Sequence, residues 1–236
     1  MKYIIKSLII LLLLISSIPA FAENKSFVSL SDNSVNFGYV PQMSQFARTV
    51  TIKSNTDFPI AIGKINTYSD CIETKMNKTI LQPGDSINLE LILNTKKLKG
   101  KLYKITHIYD ENKIRLAKIA VTASIYDSSA IFKTISIEPT YINFSQFGDK
   151  GMEKINFTIH NITDETVPLE LLYADTGFFD LSFPLYVDPN SKTTGVVELT
   201  ANGKNSEFLE SFTFEYIDAN SQKFRFSVPV KRKIFK

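Results

Sequence analysis

Tryptophan is absent from this chain of 236 residues, cysteine occurs once, histidine twice and glycine only nine times. A single cysteine excludes an internal disulfide framework. The two histidines, His107 in "KITHIYD" and His160 in "FTIHNIT", stand far apart in sequence, and no metal-ligand spacing joins either to Cys71. Few glycines leave little material for a phosphate loop, and neither that motif nor a dinucleotide fingerprint occurs. "GxSxG" is missing too, and no cysteine-histidine signature surrounds Cys71. Nothing selects a nucleophile or an acid-base pair, so the expectation is a non-enzymatic protein with no cofactor and no metal.

Long apolar runs are confined to the beginning. "MKYIIKSLIILLLLISSIPAFA" combines Lys2 and Lys6, an apolar stretch from Leu8 to Ile15, and a small-x-small ending at Ala20 and Ala22. That is the pattern of a secretory signal peptide, 1–22, cut before Glu23. Its apolar core is too short to span a bilayer and no later run is long enough, so the mature chain is expected without a transmembrane segment. The expected destination is outside the cytoplasm, in the periplasm, at the cell surface or in the medium.

Charge of one sign is lacking as well. Of 27 Lys and Arg, Lys2 and Lys6 leave with the signal, so 25 face 24 acids and the mature net charge is +1. The tail "KRKIFK" holds four of those 25. It could touch an anionic membrane surface, but a solvated terminus is the simpler expectation. No basic stripe suited to phosphates is visible, which argues against nucleic acid as a partner.

What the chain does have is alternation with period two. Val50 and Ile52 alternate in "RTVTIKS", and Ile87, Leu89, Leu91 and Leu93 in "SINLELIL". Phe212, Phe214 and Tyr216 do so in "SFTFEYID", and Phe224, Phe226, Val228 and Val230 in "KFRFSVPV". Each run gives a sheet one oily face, and helical periodicity is absent. In "KIRLAKIAVTASIY" the apolar parity is even at Ile114 and Leu116 and odd from Ile119 on, which predicts a bulge near Ala117 and Lys118.

The two halves share landmarks in one order. "SVNFGYV" answers "YINFSQF", strands end at Asn55 and Asn161, and Pro59 and Pro168 open the next strands. "LQPGDSINLEL" answers "VDPNSKTTGVVEL", with Pro83 and Pro189 about 106 residues apart. Proline presets φ at the second position of a turn, and glycine or asparagine suits the position after it. The fold expected is all-β: two tandem immunoglobulin-like β-sandwiches, at 23–126 and 132–236, with a linker at 127–131 short enough to keep them abutting.

From Ser29 to Ile125, the segments "VNFGYV", "TIKSNTDFPIAIGKI", "SDCIET", "LQPGDSINLELILNT" and "KGKLYKI" resemble, in that order, a family of bacterial exported immunoglobulin-like domains of unknown function. That family is related in fold to Hydin and major-sperm-protein domains, and the second half matches the same plan more loosely. The resemblance implies a non-enzymatic interaction or structural module. The family's usual Ser-Cys-Gly-Cys-Thr is "DCIET" here: Cys71 matches its first cysteine and Thr74 its threonine, and Glu73 replaces its second cysteine. In an extended segment Cys71 and Glu73 share a face, and the neighbouring charge disfavours thiolate. Cys71 is then either a small residue at the core or an intermolecular disulfide partner.

The best candidate contact for a partner is "DTGFFDLSFPLYVDP". If Phe179, Leu181, Phe183 and Leu185 face the core, Phe178 points the other way, onto the first domain, a covered loop or a partner. The leading expectation is an exported adaptor that binds another envelope or exported protein. The alternative is a periplasmic chaperone resembling the two-domain pilus-assembly type, which pairs its first domain's last strand with a client. "IAVTASIY", with Ile119 and Val121, would be that strand, and Arg48 or Arg115 a basic anchor. Against it, the long loop before that strand is missing.

Overall fold

The computed structural model describes residues 26–127, 134–149, 151–175, 177–218 and 220–235; the expected signal peptide, 1–22, and positions 128–131 of the expected linker lie outside them. The first half forms β1 (Val28–Leu30), β2 (Ser34–Pro41), β3 (Gln45–Ser54), β4 (Ile60–Asn66), β5 (Ile72–Met76), β6 (Ile80–Leu81), β7 (Ser86–Asn94), β8 (Gly100–Asp110) and β9 (Arg115–Tyr126). The second half forms β10 (Ile135–Glu138), β11 (Ile142–Asn143), β12 (Gln146–Phe147), β13 (Lys154–Asn161), β14 (Val167–Tyr173), β15 (Phe179–Ser182) and β16 (Tyr186–Val187). It continues through β17 (Lys192–Leu199), the single helical turn α1 (Ala201–Asn205), β18 (Phe208–Ile217), β19 (Lys223–Arg232) and β20 (Ile234–Phe235). The chain is all-β, built as β-sandwiches.

The alternating runs become strands with one buried face. In the first half a four-stranded sheet of order β1-β3-β7-β5 covers one core, and in the second a sheet of order β10-β13-β17-β15 covers another. Opposite both lies one ten-stranded sheet of order β16-β14-β18-β19-β2-β9-β8-β4-β6, with β11 also on β19. The first core is mostly aliphatic around Phe37 and Phe46, whereas Phe144, Phe157, Phe179, Phe212 and Phe214 fill the second. The turns have the expected chemistry: Gly84 (φ +76°) and Asn190 (φ +47°) take the left-handed position after Pro83 and Pro189.

The bulge in β9 falls at Leu116, one residue before the expected place, because Ala117 pairs with Ile108 but Arg115 pairs with Tyr109. It carries the buried set from Leu116 to Ile119. Ile114 lies outside the strand, in the hairpin turn, and is exposed, so its parity was not a core signal.

The solvated tail expected from "KRKIFK" is corrected. Arg232 is 4% exposed, and its guanidinium donates to the carbonyls of Phe144 (3.0 Å) and Lys204 (2.9 Å) and to Gln146 Oε1 (2.6 Å). Beyond it, β20 pairs in parallel with β12, and Phe235 stacks on Phe147 at 4.8 Å. Here a buried cation that bonds three oxygens ties the last strand into the sandwich.

Candidate functional site at the junction of the two sandwiches

Edges decide how the halves meet. β1 pairs with β3 only from Ile52 to Ser54, and Ser31 extends the pairing to Thr51. Further back, the β3 edge that faces away from β7 has no described strand of its own sandwich beside it. The second sandwich satisfies that edge: the Thr49 N–H donates to the Tyr173 hydroxyl (3.4 Å), and the Ser211 hydroxyl donates to the Ala47 carbonyl (2.7 Å). A bare strand edge buried without partners would cost free energy for each orphaned group, so these side chains close it.

A second edge is filled from the other direction. In the first half β2 runs eight residues beside β9, but its counterpart in the second half is broken into β11 and β12, two residues each. Part of the β19 edge is therefore open, and β2 enters it, pairing Tyr39 with Phe226. The Ser227 hydroxyl donates to the Phe37 carbonyl (2.8 Å), which leaves the Thr213 hydroxyl as donor in its 2.7 Å bond to Ser227. Gly38 (φ +66°) permits the approach, since a Cβ there would collide with the Arg225 carbonyl.

Tyr39 sits on the non-core face of the first sandwich, paired with Ser124, yet its ring packs into the second core, 5.3 Å from Phe226. The two four-stranded sheets thus cover opposite faces of the long sheet. Ser211, Thr213 and Ser227, which alternate with core residues and read as solvent positions, are buried against the first sandwich. No signal in a single strand distinguishes them from exposed polar residues; only the polar type of all three, small and hydroxylated, hints at burial.

Charge is also enclosed at this junction. Arg48 is 8% exposed, with its guanidinium 3.6 Å from the Tyr173 ring centroid. Glu210 is 4% exposed. Among the described residues, Arg48 Nε and Glu210 Oε2 have no hydrogen-bond partner. Burial pushes the Glu210 carboxyl up to about 8, reinforced by Asp175 and Glu90 and opposed by Arg48. Burial also lowers Arg48 and raises Tyr173 to about 12. Beside these groups runs a groove contributed by both halves. One part, about 510 Å³, is lined by Pro41, Met43, Tyr141, Pro229 and Lys231. A second, about 360 Å³, shares Gln45, Leu209 and Lys231 with the first and is lined by Glu73, Lys75, Glu90 and Lys233.

The residues expected to meet a partner lie elsewhere. Phe179 is fully buried, Phe178 stacks on Phe208 at 4.8 Å, and Phe183 packs on Phe214 at 5.2 Å. All three belong to the second core or its margin, and Phe178 turns neither to the first sandwich nor outward. Strict alternation fails because β15 stops at Ser182 and α1 lies over Phe178, whose carbonyl would collide with any Cβ on Gly203. Leu185, expected in the core, is 75% exposed.

Ile119 and Val121 are fully buried, and β9 is paired on both sides, with β2 and with β8. The strand "IAVTASIY" offers no open edge to a client. Arg48 is at the junction, whereas Arg115 is exposed at the start of β9, so they form no common anchor. Cys71 is half-buried against the first core, its Sγ 2.9 Å from Ser69 Oγ, just before β5; Glu73 is exposed in the groove.

Residues 28–125 match the model of a family described as a protein of unknown function, DUF1573. No curated protein matches. Among solved structures, the chain is similar to the VesB protease of Vibrio cholerae at 9% identity and a TM-score of 0.35, over 42% of this chain and 32% of that one. It thus spans about a third of that protease. It is also similar to a protein of unknown function from Porphyromonas gingivalis W83, at 12% identity and a TM-score of 0.33, over 87% and 99% of the two chains. A third similarity is to the YadV chaperone, at 11% identity and a TM-score of 0.29, over 86% and 100%. Among the described residues, no helix is long and apolar enough to cross a membrane.

Proposed function

We propose that this chain is an exported, non-enzymatic tandem immunoglobulin-like adaptor of the cell envelope, whose two sandwiches act as one rigid body to hold another envelope or exported protein. The observation that carries this reading is the junction. One sheet runs through both halves, each half closes an edge that the other leaves open, and a groove built from both tracks the seam. A linker alone would leave the halves free to move, whereas shared strand pairing and buried hydroxyl bonds hold them in one orientation. The export signal and the resemblance of the first half to exported modules support a location in the periplasm or at the surface. The chaperone alternative needs an open edge on β9, and β2 occupies it.

The test is affinity capture of the mature protein from its own cell envelope without reductant. Unaltered protein is run beside Cys71→Ser and the groove variant Leu209→Arg. A stoichiometric protein retained by Cys71→Ser and lost with Leu209→Arg supports groove binding. Loss with Cys71→Ser instead means a covalent tether through the lone thiol. Turnover of envelope substrates by the purified protein would sink the non-enzymatic reading.

A further inference from the structure

The register of the first half assembles a surface that the adaptor reading does not use. Thr106, Ile108, Ile119 and Val121 turn into the first core, so the alternate positions of β8 and β9 face solvent. On that side stand Lys101, Arg115 and Lys118, and Lys64 joins them from β4 through its pairing with Tyr109. All four cations are exposed, and among the described residues none is in an ion pair. No strand position on this side of β4, β8 or β9 carries an acid; Asp70, Asp110 and Glu111 are at strand ends and in the flanking loops.

Aromatic rings are interleaved with these cations. Tyr103 is 65% exposed and Tyr68 62%. The Tyr109 hydroxyl lies 3.2 Å from that of Tyr68 and 3.1 Å from His107 Nδ1, and Tyr68 meets His107 edge-on at 5.5 Å. The rings of Tyr68, His107 and Tyr109 are therefore tied to one another before any ligand arrives, and Tyr103 stands beside them. Around Tyr103 is an open depression of about 360 Å³, whose other walls include Asn36, Lys101, Thr122 and Ser124.

A protein partner would need an apolar centre here, and the face has none: its aliphatic positions, Ile105 and Ala120, are half-buried between polar neighbours. Rings for the C–H face of a sugar, amides and hydroxyls for its hydroxyl groups, and cations outside ion pairs for its charge are what is present. We propose that this face of β4, β8 and β9 binds an anionic polysaccharide, with Tyr103 and the Tyr68–Tyr109–His107 cluster stacking on sugar rings and Lys101 and Lys118 meeting its carboxylates.

The experiment is affinity electrophoresis of the mature chain in gels containing polygalacturonate, neutral dextran or poly-L-glutamate of matched charge. The unaltered protein is run beside Tyr103→Ala and the pair Lys101→Glu/Lys118→Glu. These side chains are exposed, and a circular dichroism melt confirms that each variant folds. The expected result is retardation by polygalacturonate above that by either control. The charge reversals should weaken it by about tenfold or more, and Tyr103→Ala by about fivefold. Equal retardation by poly-L-glutamate, or no effect of Tyr103→Ala, would assign the face to acidic proteins or to charge alone and overturn the proposal. Equal binding of dextran, or no retardation at low salt, would overturn it too.

Discussion

The two sandwiches share a strand order but solve it with different interiors. At one cross-strand position the first pairs Val50 with Leu89, and the second pairs Phe157 with Gly195. A Cβ on Gly195 would run into the Phe157 ring, so that glycine is the space into which the ring fits. Equivalent volume is divided evenly in one half and unevenly in the other. A sandwich core therefore constrains the sum across a pair more than either residue. The same freedom extends to edges. The first half keeps β2 whole, the second breaks its counterpart, and the gap becomes the docking place for the first.

The largest expected effect comes from exchanging that pair. Phe157→Val should leave a cavity and Gly195→Leu should overpack, each costing about 3 kcal/mol or more. The double variant should recover about 1–3 kcal/mol of their sum, because the residues touch. Denaturant midpoints of the four proteins decide this; strict additivity would show that the two halves do not solve the same packing problem.

Next in size is the enclosed acid, which has no counterpart in the first sandwich's described interior. Glu210 holds its proton up to about pH 8 when folded and up to about 4.5 when unfolded. The folded form thus binds the proton more tightly. Its stabilising effect is complete below pH 4.5 and is lost as pH rises through 8, a change of order a few kcal/mol. Melting temperature should fall between about pH 5 and 9, and Glu210→Gln, which cannot ionise, should flatten that slope. An unchanged slope would mean that another group carries the dependence.

The smallest effect concerns the β3 edge, which β1 and Ser31 cover at one end and the second sandwich at the other. Tyr173→Phe deprives the Thr49 N–H of its acceptor and should cost about 1 kcal/mol. Hydrogen exchange at Thr49 should quicken while exchange at Thr51, bonded within its own sandwich, does not. Equal quickening at both would show that the edge frays as a unit.

Much of the architecture was legible from period-two alternation, from Pro83-Gly84 and Pro189-Asn190 at matched places, and from the parity change that marked the β9 bulge within one residue. Extending alternation through "FFDLSFPLY" misplaced Leu185, because β15 stops before Pro184, whereas Phe178 took the covered-loop alternative, in a turn beneath α1. The basic composition of "KRKIFK" suggested a solvated end, since it does not reveal that three oxygens await Arg232. Of the junction residues only Arg48 stood out, and for another role, because Ser211, Thr213 and Ser227 look like any solvent-facing hydroxyls.

By itself, the sequence determined the strands, their turns and which side of each is oily, since those depend on neighbours two to four residues apart. Only the tertiary structure decided whether the polar side is also covered: on β18 and β19 another sandwich covers it, whereas on β8 and β9 it faces water. Alternation separates the two faces of a strand, but coverage depends on edges left open more than a hundred residues away.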